Sequence, residues 1–160
     1  MTFSSGEVLT AANLNALDVN TITTATQPSF SVYKTGAWTI NTDGATISFD
    51  NTRHNTGSHY NTGTYRFTAP TAGKYLFSLH FFMYTSYDND TNTYYGFHKN
   101  GAGALIINHG VEGQDGGQAM AAVIDLAVND YVDVRLLAGT GGSVSSSTTV
   151  YNSFTGHFLG

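Results

Sequence analysis

The stretch Tyr60-Asn-Thr-Gly-Thr-Tyr-Arg-Phe-Thr-Ala-Pro-Thr-Ala-Gly-Lys-Tyr-Leu-Phe77 reads as strand, turn and strand, and that rhythm restricts the chain to a β fold. Tyr65 and Phe67 alternate with polar neighbours, as on a strand with one face turned inward. Pro70 to Gly73 breaks the run, and a proline between strands removes no ladder hydrogen bond. Tyr75 then opens a long apolar and aromatic run. Tyr75, Phe77, Leu79 and Phe81 fall on one face of it, and Leu76, Ser78, His80 and Phe82 on the other. Both faces are rich enough in apolar and aromatic groups to need cover.

From Pro28 onward the same pattern recurs. Segments with β-branched and aromatic residues are separated by Gly, Asn and Asp at fairly even spacing. Strands are expected at Ser29 to Lys34, Thr46 to Asp50, Gly63 to Thr68, Gly73 to Tyr84, Thr93 to Lys99, Ala104 to His109, Gln118 to Ala127, Tyr131 to Leu137 and Thr148 to Phe158. This many strands in one chain imply an antiparallel sandwich or jelly roll.

Residues 1–27 differ. Thr10 can cap a short helix on whose face Leu14 and Leu17 lie together. Two or so turns of helix are not stable alone in water, so this arm needs a partner. Asp18 to Gln27 reads as a linker, which divides the chain into an arm over 1–27 and a domain over 28–160.

Charged residues make up only 11% of the chain, against about a quarter in ordinary soluble domains. Its surface must therefore be built from Thr, Ser, Asn and Gly, which suits an extracellular or particle-borne protein. The six cations are scattered and the net charge is −5, so nucleic acid is not an expected partner. Without cysteine there is neither a disulfide framework nor a thiolate metal site. No run approaches the roughly 18 apolar residues of a membrane span. The N-terminus also lacks the basic and apolar segments of a signal peptide, so the chain is expected to reach the outside either as part of an assembled particle or through a leader missing from this sequence.

Six blocks, in order, resemble the C1q/tumour-necrosis-factor-like family. They are Pro28-Ser-Phe-Ser31, Ile47-Ser-Phe-Asp50, the block from His59 through Gly63-Thr-Tyr-Arg-Phe67 to Gly73-Lys-Tyr-Leu-Phe77, Lys99-Asn-Gly101, Leu126-Ala-Val-Asn-Asp-Tyr-Val132, and Phe154-Thr-Gly-His-Phe-Leu159. Asn129 stands where the family usually has glycine, and asparagine tolerates positive φ better than most residues. Asn100-Gly101 independently favours a tight hairpin. The resemblance implies an all-β, ten-stranded antiparallel jelly-roll sandwich that assembles as a homotrimer, here with a short N-terminal helical or extended arm. It also implies binding rather than catalysis. The expected trimer contact is the face of Tyr75, Phe77, Leu79 and Phe81.

Other chemistries are poorly served. Asp88-Asn-Asp-Thr-Asn92 has the alternating oxygens of a calcium loop, but the loop pattern then meets Thr93 where it needs Gly and Lys99 where it needs Glu. An acidic surface loop without cofactor is the expectation, and calcium is the alternative. None of the six histidines sits in a ligand motif. Three fall on strands (His80, His98 and His157), and one aimed at a three-fold axis could give a metal or anion site. The chain has no Gly-x-Ser-x-Gly elbow, and its only glutamates are Glu7 and Glu112, a thin basis for a glycosidase pair. Gly139-Thr-Gly-Gly-Ser143 lacks the lysine and helix of a phosphate loop.

The polar loops Thr35 to Thr46, Asn51 to Asn61, Ser86 to Asn92, Val111 to Gly117 and Gly139 to Ser147 suit binding. Trp38 and Tyr87 could stack on sugar faces while Asp88, Asp90 and Asn92 bond hydroxyls. Ser5-Gly-Glu-Val-Leu-Thr-Ala-Ala-Asn-Leu-Asn-Ala-Leu17 resembles the opening of tailed-phage virion proteins, particularly tail and fibre components. The combined expectation is a trimeric virion appendage. Residues 1–27 join other virion proteins, and the head binds a host-surface ligand, glycan in the first instance. A purely structural decoration, a secreted bacterial adhesion module and, last, a glycan depolymerase are the alternatives.

Overall fold

A computed structural model describes residues 10–12, 27–36, 38–39, 44–83, 93–110, 116–138, 143–144 and 152–160. Two five-stranded antiparallel sheets face each other. The first runs, in spatial order, β3 (Asn51–Thr56), β1 (Ser29–Tyr33), β12 (Ser153–Phe158), β6 (Gly73–Met83) and β9 (Gly116–Leu126). The second runs β4 (Tyr60–Asn61), β5 (Arg66–Thr68), β10 (Tyr131–Ala138), β7 (Thr93–Lys99) and β8 (Ala102–Gly110). A separate ribbon pairs β2 (Trp38–Thr39) with β11 (Ser143–Val144). Successive strands repeatedly cross between the sheets, β5 to β6 to β7 and β8 to β9 to β10, which winds the chain as a jelly roll.

Period-two alternation sets the core. Along β6, Tyr75, Phe77 and Leu79 are fully buried between the sheets, while Lys74, Leu76 and His80 are exposed. Rings from both sheets meet at Phe30, whose centroid lies 5.0 Å from Tyr60, 5.1 Å from Phe67 and 4.9 Å from Phe154. Such ring contacts add about 0.5–1.5 kcal/mol each beyond area burial. Gly156 is the cross-strand partner of Phe30, and a Cβ there would land on the edge of the Phe30 ring. The glycine in the closing Phe154-Thr-Gly156 block is therefore an opening that this ring fills.

Two turns behave as their residues predict. Asn100 and Gly101 both take positive φ, 53° and 73°, as the two-residue β7–β8 hairpin requires. Asn129 sits at φ 69° in the β9–β10 turn.

Several expectations change. The trimer contact assigned to Tyr75, Phe77 and Leu79 is overturned, because these side chains form the protomer's own core and none reaches the surface. Phe81 lies on β6, with its side chain outside the described residues. The expected loop from Asn51 to Asn61 contains β3 and β4. Its Asn-Thr-Arg-His-Asn-Thr sequence is polar on both faces because β3 is an edge strand.

The expected strand Thr46 to Asp50 buries Ile47 and Phe49 completely. Its ladder is reduced to the single bridge Thr46–Arg135, beside one bond from the Ile47 amide to the Val134 carbonyl at 2.8 Å. The strand expected from Gly63 begins only at Arg66. Asn61 Oδ1 accepts the Gly63 and Thr64 amides at 2.8 and 3.0 Å, and Tyr65 closes the turn at φ 60°. Of the arm, Thr10 to Ala12 are described, and Ala11 and Ala12 are helical, too few residues to form an element.

Candidate functional site

The predicted ligand residues Tyr87, Asp88, Asp90 and Asn92 lie outside the described residues, as does the candidate calcium loop. The backbone of Trp38 is placed, paired with Val144 across the β2–β11 ribbon. That pairing joins two of the loops expected to bind ligand, Thr35 to Thr46 and Gly139 to Ser147. No group of three or more His, Asp or Glu side chains gathers among the described residues. The features on which an interaction can be built are the outward faces of the two sheets.

On the first sheet, burying Tyr75, Phe77 and Leu79 turns the alternate residues outward. They line up in rows across three strands: His157, Leu76 and Val123, then Thr155, Ser78 and Ala121, then Ser153, His80 and Ala119. Lys74 and Asp125 are cross-strand partners at one end of the face. Among the described residues the exposed large apolar ones are Leu76 (39%) on β6, Val123 (56%) on β9, Val128 (53%) in the turn after β9 and Leu159 (51%) just after β12. Ser78, Ala121 and Thr155 are small, so another backbone can approach closely. Beside them lies a recess of about 210 Å³, walled by Ser29, His54, Leu76, Ser78, Thr155 and His157. Its position follows from the short side chains of β1 and β12.

The second sheet finishes its outward face differently. Asp133 is 0% exposed, and Arg135 holds both its oxygens, Nε to Oδ1 at 2.9 Å and Nη2 to Oδ2 at 2.8 Å. Arg66 Nε adds a third contact to Oδ2 at 3.3 Å and lies over the Tyr131 ring, 4.3 Å from its centroid. The pairing of β5 with β10 covers only two residue pairs, so the Arg66–Asp133 contact extends a short ladder with side chains. The Asp133 carboxylate, hydrogen-bonded to Arg135, holds that guanidinium's pKa above its ordinary value.

His98 is the cross-strand partner of Asp133 and is 7% exposed, with neither ring nitrogen hydrogen-bonded. Burial, then the nearby Arg135 charge, pushes its pKa below the usual histidine value; Asp133 offsets part of this. An imidazole beside a carboxylate suggests acid–base work. Here, however, the carboxylate is held by two guanidiniums and does not orient the ring.

A third cluster explains two of the sequence blocks. The Asp130 carboxylate accepts Lys99 Nζ at 2.7 Å, Asn100 Nδ2 at 2.7 Å and the Ala127 amide at 2.8 Å. Those bonds, led by Lys99 and Asn100, draw its pKa down to about 2. Asn100 Oδ1 in turn accepts the Tyr131 amide at 2.9 Å. The Lys99-Asn-Gly101 hairpin and the Asn129-Asp130 turn are thus clasped together, a structural role.

Sequence reasoning missed the outward row Leu76, Ser78 and His80. The signal was present: of the two faces of β6, the bulkier aromatic set fits a core, and the face with Ser78 fits an approach by a second backbone.

The two facing sheets define an antiparallel jelly-roll domain. A family model described as the C1q domain matches residues 29–159, and the chain belongs to that family. Among solved structures, it is similar to the globular domain of the zebrafish complement 1qA protein, with a TM-score of 0.60 at 16% identity, covering 84% of this chain and 98% of that one. It is also similar to the Eiger TNF of S. frugiperda (TM-score 0.63, 14% identity, 84% and 93% covered). Murine APRIL is a further likeness (TM-score 0.58, 10% identity, 83% and 99% covered). At these identities the likeness extends to the fold.

Proposed function

We propose that this chain is a non-enzymatic homotrimeric binding head, whose subunits meet through the outward face of the first sheet. The observation that carries the reading is the exposed cross-strand pair Leu76 and Val123 on that face, beside a row of small side chains; Val128 and Leu159, the other exposed large apolar residues among those described, follow β9 and β12. A solvated sheet face is normally polar, and contiguous exposed apolar surface marks an interaction site. Membership of the C1q domain family supports the same reading.

The head is carried on a phage-type virion, with residues 1–27 attached to other virion proteins and the polar loops touching a host-surface ligand, glycan before protein. Support for this part comes from the sequence: the Ser5 to Leu17 segment resembles tailed-phage virion proteins, and few charges mark the surface. The full chain, fluorescently labelled, is the reagent that tests it. Binding to host cells that is competed by a purified surface glycan is the expected result. No adsorption and a silent glycan array would leave a purely decorative virion component as the better reading.

A further inference from the structure

The chain carries a net charge of −5, yet the strands of the second sheet hold three cations, Arg66, Lys99 and Arg135, and one carboxylate, Asp133. Asp130, in the turn before β10, takes Lys99 at 2.7 Å, and Arg135 holds both oxygens of Asp133. That leaves Arg66 without an anion of its own. It reaches Asp133 through Nε at 3.3 Å, its guanidinium lies over the Tyr131 ring, and its side chain is 37% exposed. Among the described residues nothing bonds its Nη1 and Nη2 groups. Those two groups form one edge of a rigid fork that matches a carboxylate in bidentate fashion. A buried carboxylate anchors the inner end of this fork and an aromatic ring supports its plane, so its outer edge is oriented before any ligand arrives.

The groups on either side are polar and unengaged. Asn61 is the cross-strand partner of Arg66, and Thr68 lies two residues further along the same face of β5; both are exposed. Asn61 Oδ1 is occupied by the Gly63 and Thr64 amides, which leaves Nδ2 as a donor with no bond among the described residues. The Thr68 hydroxyl is equally unbonded among them. A carboxylate fork flanked by an amide donor and a hydroxyl suits a ring that carries one carboxylate and several hydroxyls. An acidic peptide fits less well, because its apolar side chains would find no apolar patch. Among the described residues, no exposed large apolar side chain lies on a strand of the second sheet.

We propose that the outward edge of Arg66, between Asn61 and Thr68, is a subsite for the carboxylate of an acidic sugar. This rests on the glycan part of the reading given above, and adds to it the charge of the sugar and a place outside the polar loops. The second sheet faces away from the proposed subunit contact and needs no subunit to cover it. A trimer therefore presents three such subsites to solvent, and a repeating polysaccharide can engage them together.

The test is biolayer interferometry of the full chain over immobilised polygalacturonate and over the same polymer methyl-esterified. The acid polymer is expected to bind at least about tenfold more tightly than the ester, the effect of one charge-assisted pair. Arg66→Gln brings binding down to the level of the ester, and Arg66→Lys, which keeps the charge without the fork, recovers only a minor part of the loss. Thr68→Val, which touches no ion pair, weakens binding a few-fold and carries the test if a thermal melt shows Arg66→Gln unfolded. Equal binding to both polymers, or undiminished binding by a folded Arg66→Gln, overturns the subsite and leaves the glycan reading in place. Equally tight binding to poly-glutamate overturns the assignment to a sugar. Silence on both polymers, with host cells adsorbed and a neutral glycan competing, overturns the subsite alone; silence on host cells as well removes the glycan reading with it.

Discussion

The two sheets share a core but treat their outer faces in opposite ways. The second sheet brings a buried carboxylate, Asp133, under two guanidiniums and satisfies its charge inside the protomer. The first sheet leaves Leu76 and Val123 in water beside Ser78, Ala121 and three histidines, with only Asp125 as an acid on its strands. A face completed by its own side chains needs no partner, and a face left apolar does. The difference is what supports placing the proposed subunit contact on the first sheet.

The largest test of that contrast is Asp133→Ala. It leaves Arg66 and Arg135 facing one another without their anion and should cost about 3 kcal/mol, the low end for losing one partner of a buried pair because both guanidiniums can reach water. Urea unfolding measures it. If the second face is complete in the protomer, the loss appears undiminished in a chain already reduced to single subunits.

Next is Gly156→Ala, in which the new methyl meets the Phe30 ring across the β1–β12 pair. Overpacking of this kind costs about 1–3 kcal/mol. A thermal melt unchanged from wild type would show that the closing glycine is not there for the ring.

A smaller effect separates the faces by pH. His98, on the second sheet, is held below its ordinary pKa by burial and Arg135. The unfolded chain therefore takes up a proton that the folded chain resists. Its contribution is fully present above the unfolded value near 6.5 and is lost as pH falls. Asp130, drawn down to about 2, acts in the same direction at lower pH, losing its contribution as pH falls from 3.8 toward that value. The urea midpoint should fall from pH 7 to pH 5, and less steeply in His98→Phe. Equal slopes would remove His98 as a source of acid sensitivity.

Much of this was legible in the chain. The Tyr75, Phe77, Leu79 alternation marked β6, Asn100-Gly101 marked its hairpin, and Asn129 took the positive φ that its motif position demands. What escaped was edge and face. Strand β3 has no apolar stripe, because an edge strand can form with polar residues whose only ladder partner is β1. Tyr65 looked like a strand residue, but Asn61 accepts two turn amides and draws it into the turn. The bulkier aromatic set of β6 pointed to its core face, but both sets are rich in apolar groups and the contrast is small. Phe30, Phe67 and Phe154, from three other strands, decide it by packing on the Phe77 side.

The central claim is that the outward face of the first sheet is where copies of this chain meet. Sedimentation equilibrium of the wild type and Leu76→Asp at pH 7.5 tests it most directly. Leu76 is exposed in the protomer, so the substitution should change subunit stability by no more than about 0.5 kcal/mol. The account predicts three chain masses for the wild type and one for Leu76→Asp, with the variant still folded. A variant that remains trimeric, or a wild type that sediments as a single chain, would contradict it.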